Sequence, residues 1–175
     1  MAKISFKAKV TEVEGLLIVR LPKRASDRLP TRSLVVVEGS INGAPFAAPL
    51  EPDGKKGHWL HVDKPMERTA KLSAGSEVEL AFVPADDWPE PDLPDDFLEC
   101  VNGSPAARET WQKTTVKARW EWLRWVRSTK NPATRQKRIA VSRSKLESGM
   151  RRPCCFDASS CTVAEVAKSG VLVGA

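Results

Sequence analysis

Twelve residues near the middle of the chain, 84–95, exclude more structure than any other stretch. Pro84, Pro89, Pro91 and Pro94 are interleaved with Asp86, Asp87, Glu90, Asp92 and Asp95. Proline lacks a backbone N–H and holds φ near one value, so such a segment joins neither a helix interior nor a central strand. An extended acidic linker over 85–95 is expected, separating a domain of residues 1–84 from one of residues 96–175. The full length of 175 residues leaves room for a core on each side.

Before the prolines the chain reads as short strands. Ile4, Phe6, Ala8 and Val10 alternate with Ser5, Lys7, Lys9 and Thr11, the period of a half-buried strand. Glu14-Gly15 turns into Leu16–Leu21, and Leu34–Ile41 runs into Asn42-Gly43, a strong hairpin signal because both residues accept positive φ. The return strand 45–50 carries Pro45 and Pro49 and is therefore expected at a sheet edge. A turn at 53–57, a strand at 58–62, a short helix within 64–72 and an alternating strand at 77–83 follow. Six short strands with tight turns point to a small closed barrel.

After the prolines the period becomes helical. Short helices are expected at 95–102 and 105–113, the second capped by Ser104 with Pro105 at its first position. The clearest helix covers 115–130. With Trp122 as origin, at about 100° per residue, Trp125, Val126, Leu123 and Trp120 span an arc from about −60° to about 160°. That arc is wider than a one-sided surface helix needs, so burial over more than half the circumference is expected. Glu121, Arg124, Lys117 and Ser128 fall on the remaining face. Asn131-Pro132 opens a last helix that runs to about Ser148 and stops at Gly149, and 150–175 reads as an irregular tail.

Charge divides at the same place. Residues 1–95 hold 13 Lys/Arg and 15 Asp/Glu, whereas 96–175 hold 15 and 7, and the segment 108–152 holds 14 basic side chains against 3 acidic ones. A field this one-sided attracts anions, although a solvated helical surface has the same composition. No apolar run approaches the ~20 residues of a membrane span. The residues Met1–Lys7 lack the apolar stretch and cleavage site of a signal peptide, so a cytoplasmic location is expected.

Several segments resemble known bacterial families. The runs 21–32, 37–46, 50–54 and 58–60 resemble a barrel family of unknown function with a double-split β-barrel fold, related in architecture to transcription-regulator and antitoxin barrels. Ala118–Trp122, Ser128–Arg135 and Lys145–Gly149 resemble the YdeI/OmpD-associated family, described as bacteriocin-protection proteins. Together these imply an α+β chain: an N-terminal double-split β-barrel followed by a small C-terminal helical domain. Neither resemblance implies a catalytic set.

Candidate sites follow from residue chemistry. Lys23, Arg24, Arg28 and Arg32 lie in one loop, where guanidinium groups could clamp a phosphate or carboxylate, or could pair with Asp27, Glu38 or the acidic linker. His58 and His61 are three apart on a strand, which sends their rings to opposite faces and denies them a shared metal. Cys100, Cys154, Cys155 and Cys161 could form a four-thiolate zinc site, a redox sensor or inert thiols. In the basic helices, Arg127, Lys130, Arg135 and Arg138 are candidate contacts for an anion, with Trp120 as an exposed stacking platform for bases. The reading is a non-enzymatic bacterial binding protein of stress or bacteriocin-protection type, without a cofactor. It would hold nucleic acid or an acidic protein on its basic helices. The alternative is a small-molecule-binding or enzymatic barrel whose cleft is lined by Arg24, Arg28 and Arg32 with His58 or His61. Oligomeric state is left open.

Overall fold

In the computed structural model, residues 1–154 and 156–175 are described. The chain forms two compact units, one of Met1–Asp86, Ala158–Cys161 and Glu165–Ala175, the other of Asp87–Asp157 and Thr162–Ala164. The architecture is α+β: a closed six-stranded barrel, then helices.

The barrel strands are β1 (Ile4–Val13), β2 (Leu16–Arg20), β3 (Val35–Ile41), β4 (Ala44–Pro52), β5 (His58–His61) and β6 (Glu77–Pro84). They close in the order β1-β2-β5-β4-β3-β6, every neighbouring pair antiparallel. Two short helices, α1 (Lys23–Ser26) and α2 (Lys64–Ala70), interrupt the strands. The alternation of the sequence supplies the interior. Ile4, Val10, Val19, Val35, Val37, Leu50, Leu60, Val78, Leu80 and Phe82 form its core, with Ala25 and Leu29 from the α1 loop.

Closure depends on the β3–β6 seam. At the tip of the β3–β4 hairpin, Asn42 and Gly43 take φ +49° and +80°, the left-handed pair that a two-residue turn requires. The Asn42 side chain also accepts a hydrogen bond from Glu79 N at 2.8 Å, tying the hairpin tip to β6. Gly39 sits opposite Phe82 in this seam, and a β-carbon there would lie 2.1 Å from the Ala81 carbonyl oxygen.

Strand β4 differs from the expected edge strand, since a closed barrel has no edge. Its prolines are tolerated because β5 pairs only with Leu50–Pro52, leaving Pro45 and Pro49 where β4 has a partner on the β3 side alone.

The tail is less irregular than its composition suggests. β7 (Ala167–Lys168) and β8 (Val171–Leu172) form a hairpin around Ser169-Gly170, again with both φ positive, at +52° and +77°. Leu172 N donates to Asp53 O at 2.9 Å, and Arg20 donates to Val173 O at 2.7 Å. Arg20 is the register partner of Trp59, which alternates to the opposite side from the core residue Leu60 and is nevertheless fully buried. The hairpin therefore covers an outer face of the barrel that the strands alone would leave open.

In the other unit the helices are α3 (Asp95–Asn102), α4 (Pro105–Gln112), α5 (Val116–Arg127) and α6 (Pro132–Glu147). Ser104, Thr115 and Asn131 cap α4, α5 and α6 through their side-chain oxygens. Phe97, Cys100, Val101, Ala107, Trp122, Val126 and Leu146 make the core. The proline segment beyond β6 has neither helix nor strand before α3, as its composition dictates, but it is bonded to α5. Pro89 O accepts from the Trp120 indole at 2.9 Å, and Glu90 pairs with Arg119 at 2.6 Å.

Substituting Gly39→Ala should cost about 2–4 kcal/mol of unfolding free energy, because the new methyl meets backbone that cannot swing aside. Urea unfolding of the whole chain checks this. An unchanged midpoint would mean that the seam has room to spare.

Candidate functional site

The basic side chains of the helical unit were the strongest sequence signal, and six of the fourteen in 108–152 are wholly or partly withdrawn from water. Arg119 donates to the Trp111 and Gln112 carbonyls and to Glu90. Arg124, read as part of a polar face, is buried at 1% exposure. Its Nε donates to Thr162 Oγ1 at 3.2 Å and its guanidinium lies 5.2 Å from the Phe156 ring centre. Tail residues thus cover the side of α5 that its composition left for water. Arg127 also donates to Thr162 Oγ1, at 3.3 Å. Arg143 bonds to the Gly103 carbonyl and to Glu147.

Arg135 makes a bidentate pair with Asp96, at 2.9 and 2.8 Å, which fastens α6 to α3. The guanidinium holds the Asp96 carboxyl below its ordinary value of 3.8, and the carboxylate raises Arg135 in return. Arg138 has a different task. It donates to Trp125 O at 2.8 Å and Ser128 Oγ at 2.6 Å, so α6 supplies the cap for the C-terminal end of α5. Its guanidinium lies 5.8 Å from the centre of the Trp125 ring, and Lys145 Nζ lies 5.4 Å from the same ring.

Trp120 is a correction to the sequence reading. It is 9% exposed and its indole N–H is bonded to Pro89, so it offers no stacking face. Trp122 is fully buried, with its N–H on Arg151 O, and Trp125 stands edge-on to it while its ring carries two cations.

What remains outward is narrower than the composition implied. On α6 at about 100° per residue, Arg135, Ile139, Ser142 and Leu146 share the buried side, Arg138 and Lys145 lie together on its flank, and Lys137 lies on the opposite side. Lys137 is exposed there, and Lys130 is exposed beside the Asn131 cap; among the described residues neither has an ion-pair or hydrogen-bond partner. Arg138 alone is anchored at the corner between α5 and α6, whereas Lys130 and Lys137 are exposed at different points of the α6 surface. The seven-residue spacing of Arg138 and Lys145 places both on the flank beside Trp125, but Arg135, Lys137 and Arg143 made the helix look basic all round.

The barrel's arginine loop is mostly committed to its own backbone. Arg32 donates to Ser26 O at 3.1 Å, Lys56 O at 3.2 Å and Asp27 Oδ1 at 2.8 Å. Arg28 donates to Lys3 O at 3.0 Å, and Arg24 is exposed. Lys23 first, then Arg32, hold the Asp27 carboxyl below its usual range. His58 is buried, its Nε2 donating to Ser33 O at 3.0 Å, while His61 is exposed on the other side of the strand. A groove of about 720 Å³ on the barrel is lined by Lys3, Glu38, Phe46, Ala81 and Val83 among others, with none of these arginines or histidines.

The four-thiolate arrangement does not form among the described residues, where no three His, Cys, Asp or Glu side chains converge on a metal position. Cys100 is buried in the helical core, where its thiol donates to Ile139 O at 3.3 Å and burial raises its pKa. Cys161 is buried, with its backbone N–H on Gly170 O at 2.7 Å. Cys154 is exposed, and Cys155 lies outside the described residues.

These two units coincide with two known families. Residues 6–82 match a family described as a domain of unknown function (DUF1905). Residues 90–149 match the family described as Bacteriocin-protection, YdeI or OmpD-Associated. The barrel segment is thus similar to the first family and the helical segment to the second. No curated protein matches it. Among the described residues, no helix is long and apolar enough to cross a membrane. The bacteriocin-protection match spans α3 to the end of α6, and so includes the Asp96–Arg135 pair and the Arg138 cap.

Because the folded Asp96 titrates below its unfolded value, its bridge contributes fully above the ordinary carboxylate range and is lost as pH falls through the lower folded value. Asp96→Asn should cost about 0.5–1 kcal/mol at pH 7, and this difference should vanish towards pH 2. Chemical denaturation of both proteins at each pH tests it. A difference independent of pH would separate the cost from the ion pair.

Proposed function

We propose that the chain is a non-enzymatic binding protein of the bacteriocin-protection type, and that its partner is an acidic protein segment held by the cations of α6 and of its junction with α5. The observation that supports this reading is the exposure of Lys130, next to the Asn131 cap of α6, and of Lys137, on the side of α6 away from its buried residues, with Arg138 held in place between α5 and α6. Arg138 is already oriented by the Trp125 carbonyl and Ser128, so a carboxylate meeting it there pays little ordering entropy. The two lysines are flexible point charges, suited to carboxylates of loose geometry.

A protein partner is favoured over nucleic acid by the tryptophans. Single-stranded nucleic acid is held by aromatic faces as well as by charge, and Trp120 and Trp122 are buried while Trp125 carries Arg138 and Lys145.

The test is fluorescence anisotropy with a labelled glutamate- and aspartate-rich peptide and, in parallel, with labelled DNA and RNA, across a salt series. Peptide binding that weakens with salt, and falls about five- to thirtyfold in Lys130→Ala/Lys137→Ala, is the expected result, from about 0.5–1 kcal/mol for each exposed charge. Tighter binding of nucleic acid would transfer the site to phosphate chemistry. No binding of any anion at low salt would remove these cations from consideration.

A further inference from the structure

Two cations of α6 converge on one aromatic ring, and among the described residues no carboxylate pairs with either. Arg138 and Lys145 are seven residues apart, so about two turns of helix place them on the same flank. The Arg138 guanidinium lies 5.8 Å and the Lys145 ammonium 5.4 Å from the centre of the half-buried Trp125 ring of α5. A ring face attracts a cation and so holds both side chains, but it does not cancel their charge. Other arginines of this unit are neutralised: Arg119 by Glu90, Arg135 by Asp96, Arg143 by Glu147 and Arg152 by Glu121. Arg138 and Lys145 touch only a carbonyl, a hydroxyl and the Cys154 sulfur.

Arg138 is moreover only half used. Its bonds to Trp125 O and Ser128 Oγ both leave from Nη1. Among the described residues the Nε and Nη2 donors have no partner, and neither is shut off from solvent. Those two donors form the edge with which a guanidinium grips two oxygens of one anion. Arg135, one turn earlier on the same helix, shows that edge engaged, its Nε and Nη2 holding the two Asp96 oxygens at 2.9 and 2.8 Å. In Arg138 the same edge is oriented and faces water.

We propose that the Nε–Nη2 edge of Arg138, with Lys145 beside it on Trp125, is the subsite that grips one side-chain carboxylate of the partner segment. The proposal rests on the acidic-segment reading above and gives that segment a fixed point of attachment. Two donors in one plane ask for two oxygens in one plane, which a carboxylate supplies. Lys145 adds charge without a demand on geometry. Because Nη1 is bonded before any partner arrives, little rotamer freedom is lost on binding. Lys130 and Lys137, exposed elsewhere on the α6 surface, are left to meet further acidic residues of the same segment.

The experiment uses the full chain labelled with nitrogen-15 and follows the arginine Nε–H and tryptophan indole N–H signals by NMR, assigned by triple-resonance spectra. Sodium acetate and inorganic phosphate are titrated separately at constant ionic strength, followed by the labelled glutamate- and aspartate-rich peptide. The Arg138 Nε–H signal should move and saturate with acetate and with peptide, while that of Arg135, already on Asp96, stays in place. Lys145→Met should weaken the peptide about two- to fivefold, the weight of one exposed ion pair, with Lys117→Met, which removes a cation from the Trp88 ring instead, leaving it unchanged. An Arg138 signal that neither acetate nor peptide moves, while the peptide still binds, overturns the subsite and leaves the wider reading standing. Failure of the peptide to bind at low salt, with acetate still moving Arg138, overturns the wider reading and leaves a carboxylate subsite. Movement with phosphate and none with acetate overturns the choice of carboxylate. Equal peptide affinity in a folded Lys145→Met overturns the part given to the lysine.

Discussion

The carbonyls at the C-terminal end of α5 have no partners within that helix, and the way they are satisfied governs the helical unit. Arg138 reaches from α6 to the Trp125 carbonyl and the Ser128 hydroxyl, at 2.8 and 2.6 Å. That bond places the second helix of the pair at a fixed corner against the first. A guanidinium suits this task, since it keeps its charge at every relevant pH and presents several donors in one plane. With Arg138 set, Ile139, Ser142 and Leu146 turn to the buried side and Arg135 meets Asp96. Lys137 is carried to the other side by helical geometry alone.

The charge of the second half accordingly has two meanings. Arginines have mostly become structural: Arg119 on the Trp111 and Gln112 carbonyls, Arg124 beneath Thr162 and Phe156, Arg143 on the Gly103 carbonyl. Lysines remain largely outside, with Lys130 and Lys137 exposed. The difference follows from hydration, because an ammonium is a compact, strongly hydrated charge whereas a guanidinium is more easily desolvated and can satisfy several carbonyls at once. The composition of 108–152 registers total charge and is blind to this division of labour.

Burial of tail residues changes both units in the same manner. Without the β7–β8 hairpin, Trp59 and Arg20 would lie on an open barrel wall; with it, Trp59 is fully buried and Arg20 is bonded to Val173. Without Phe156 and Thr162, Arg124 would lie on the solvent face that its helical position predicts. In each case an apparently irregular stretch supplies carbonyls, hydroxyls or a ring to a cation that a regular element could not satisfy.

Local rules were enough to read the barrel strands, the Asn42-Gly43 hairpin, the caps at Ser104 and Asn131, and the refusal of the proline segment to form helix or strand. Each depends on φ preference, side-chain period or a single hydrogen bond within a few residues, so neighbours in the chain carry the whole signal. The wide apolar arc of α5 belongs here too, since Trp122, Leu123, Val126 and Trp120 are all buried. Other properties were decided only when distant segments met. Trp120 lost its stacking face to Pro89, Arg135 its freedom to Asp96 at 39 residues' separation, and Pro45 and Pro49 found a place in a closed sheet because β5 is short. A sequence states which groups carry charge, thiol or aromatic surface, whereas burial and hydrogen bonding between remote segments determine which of them still face water.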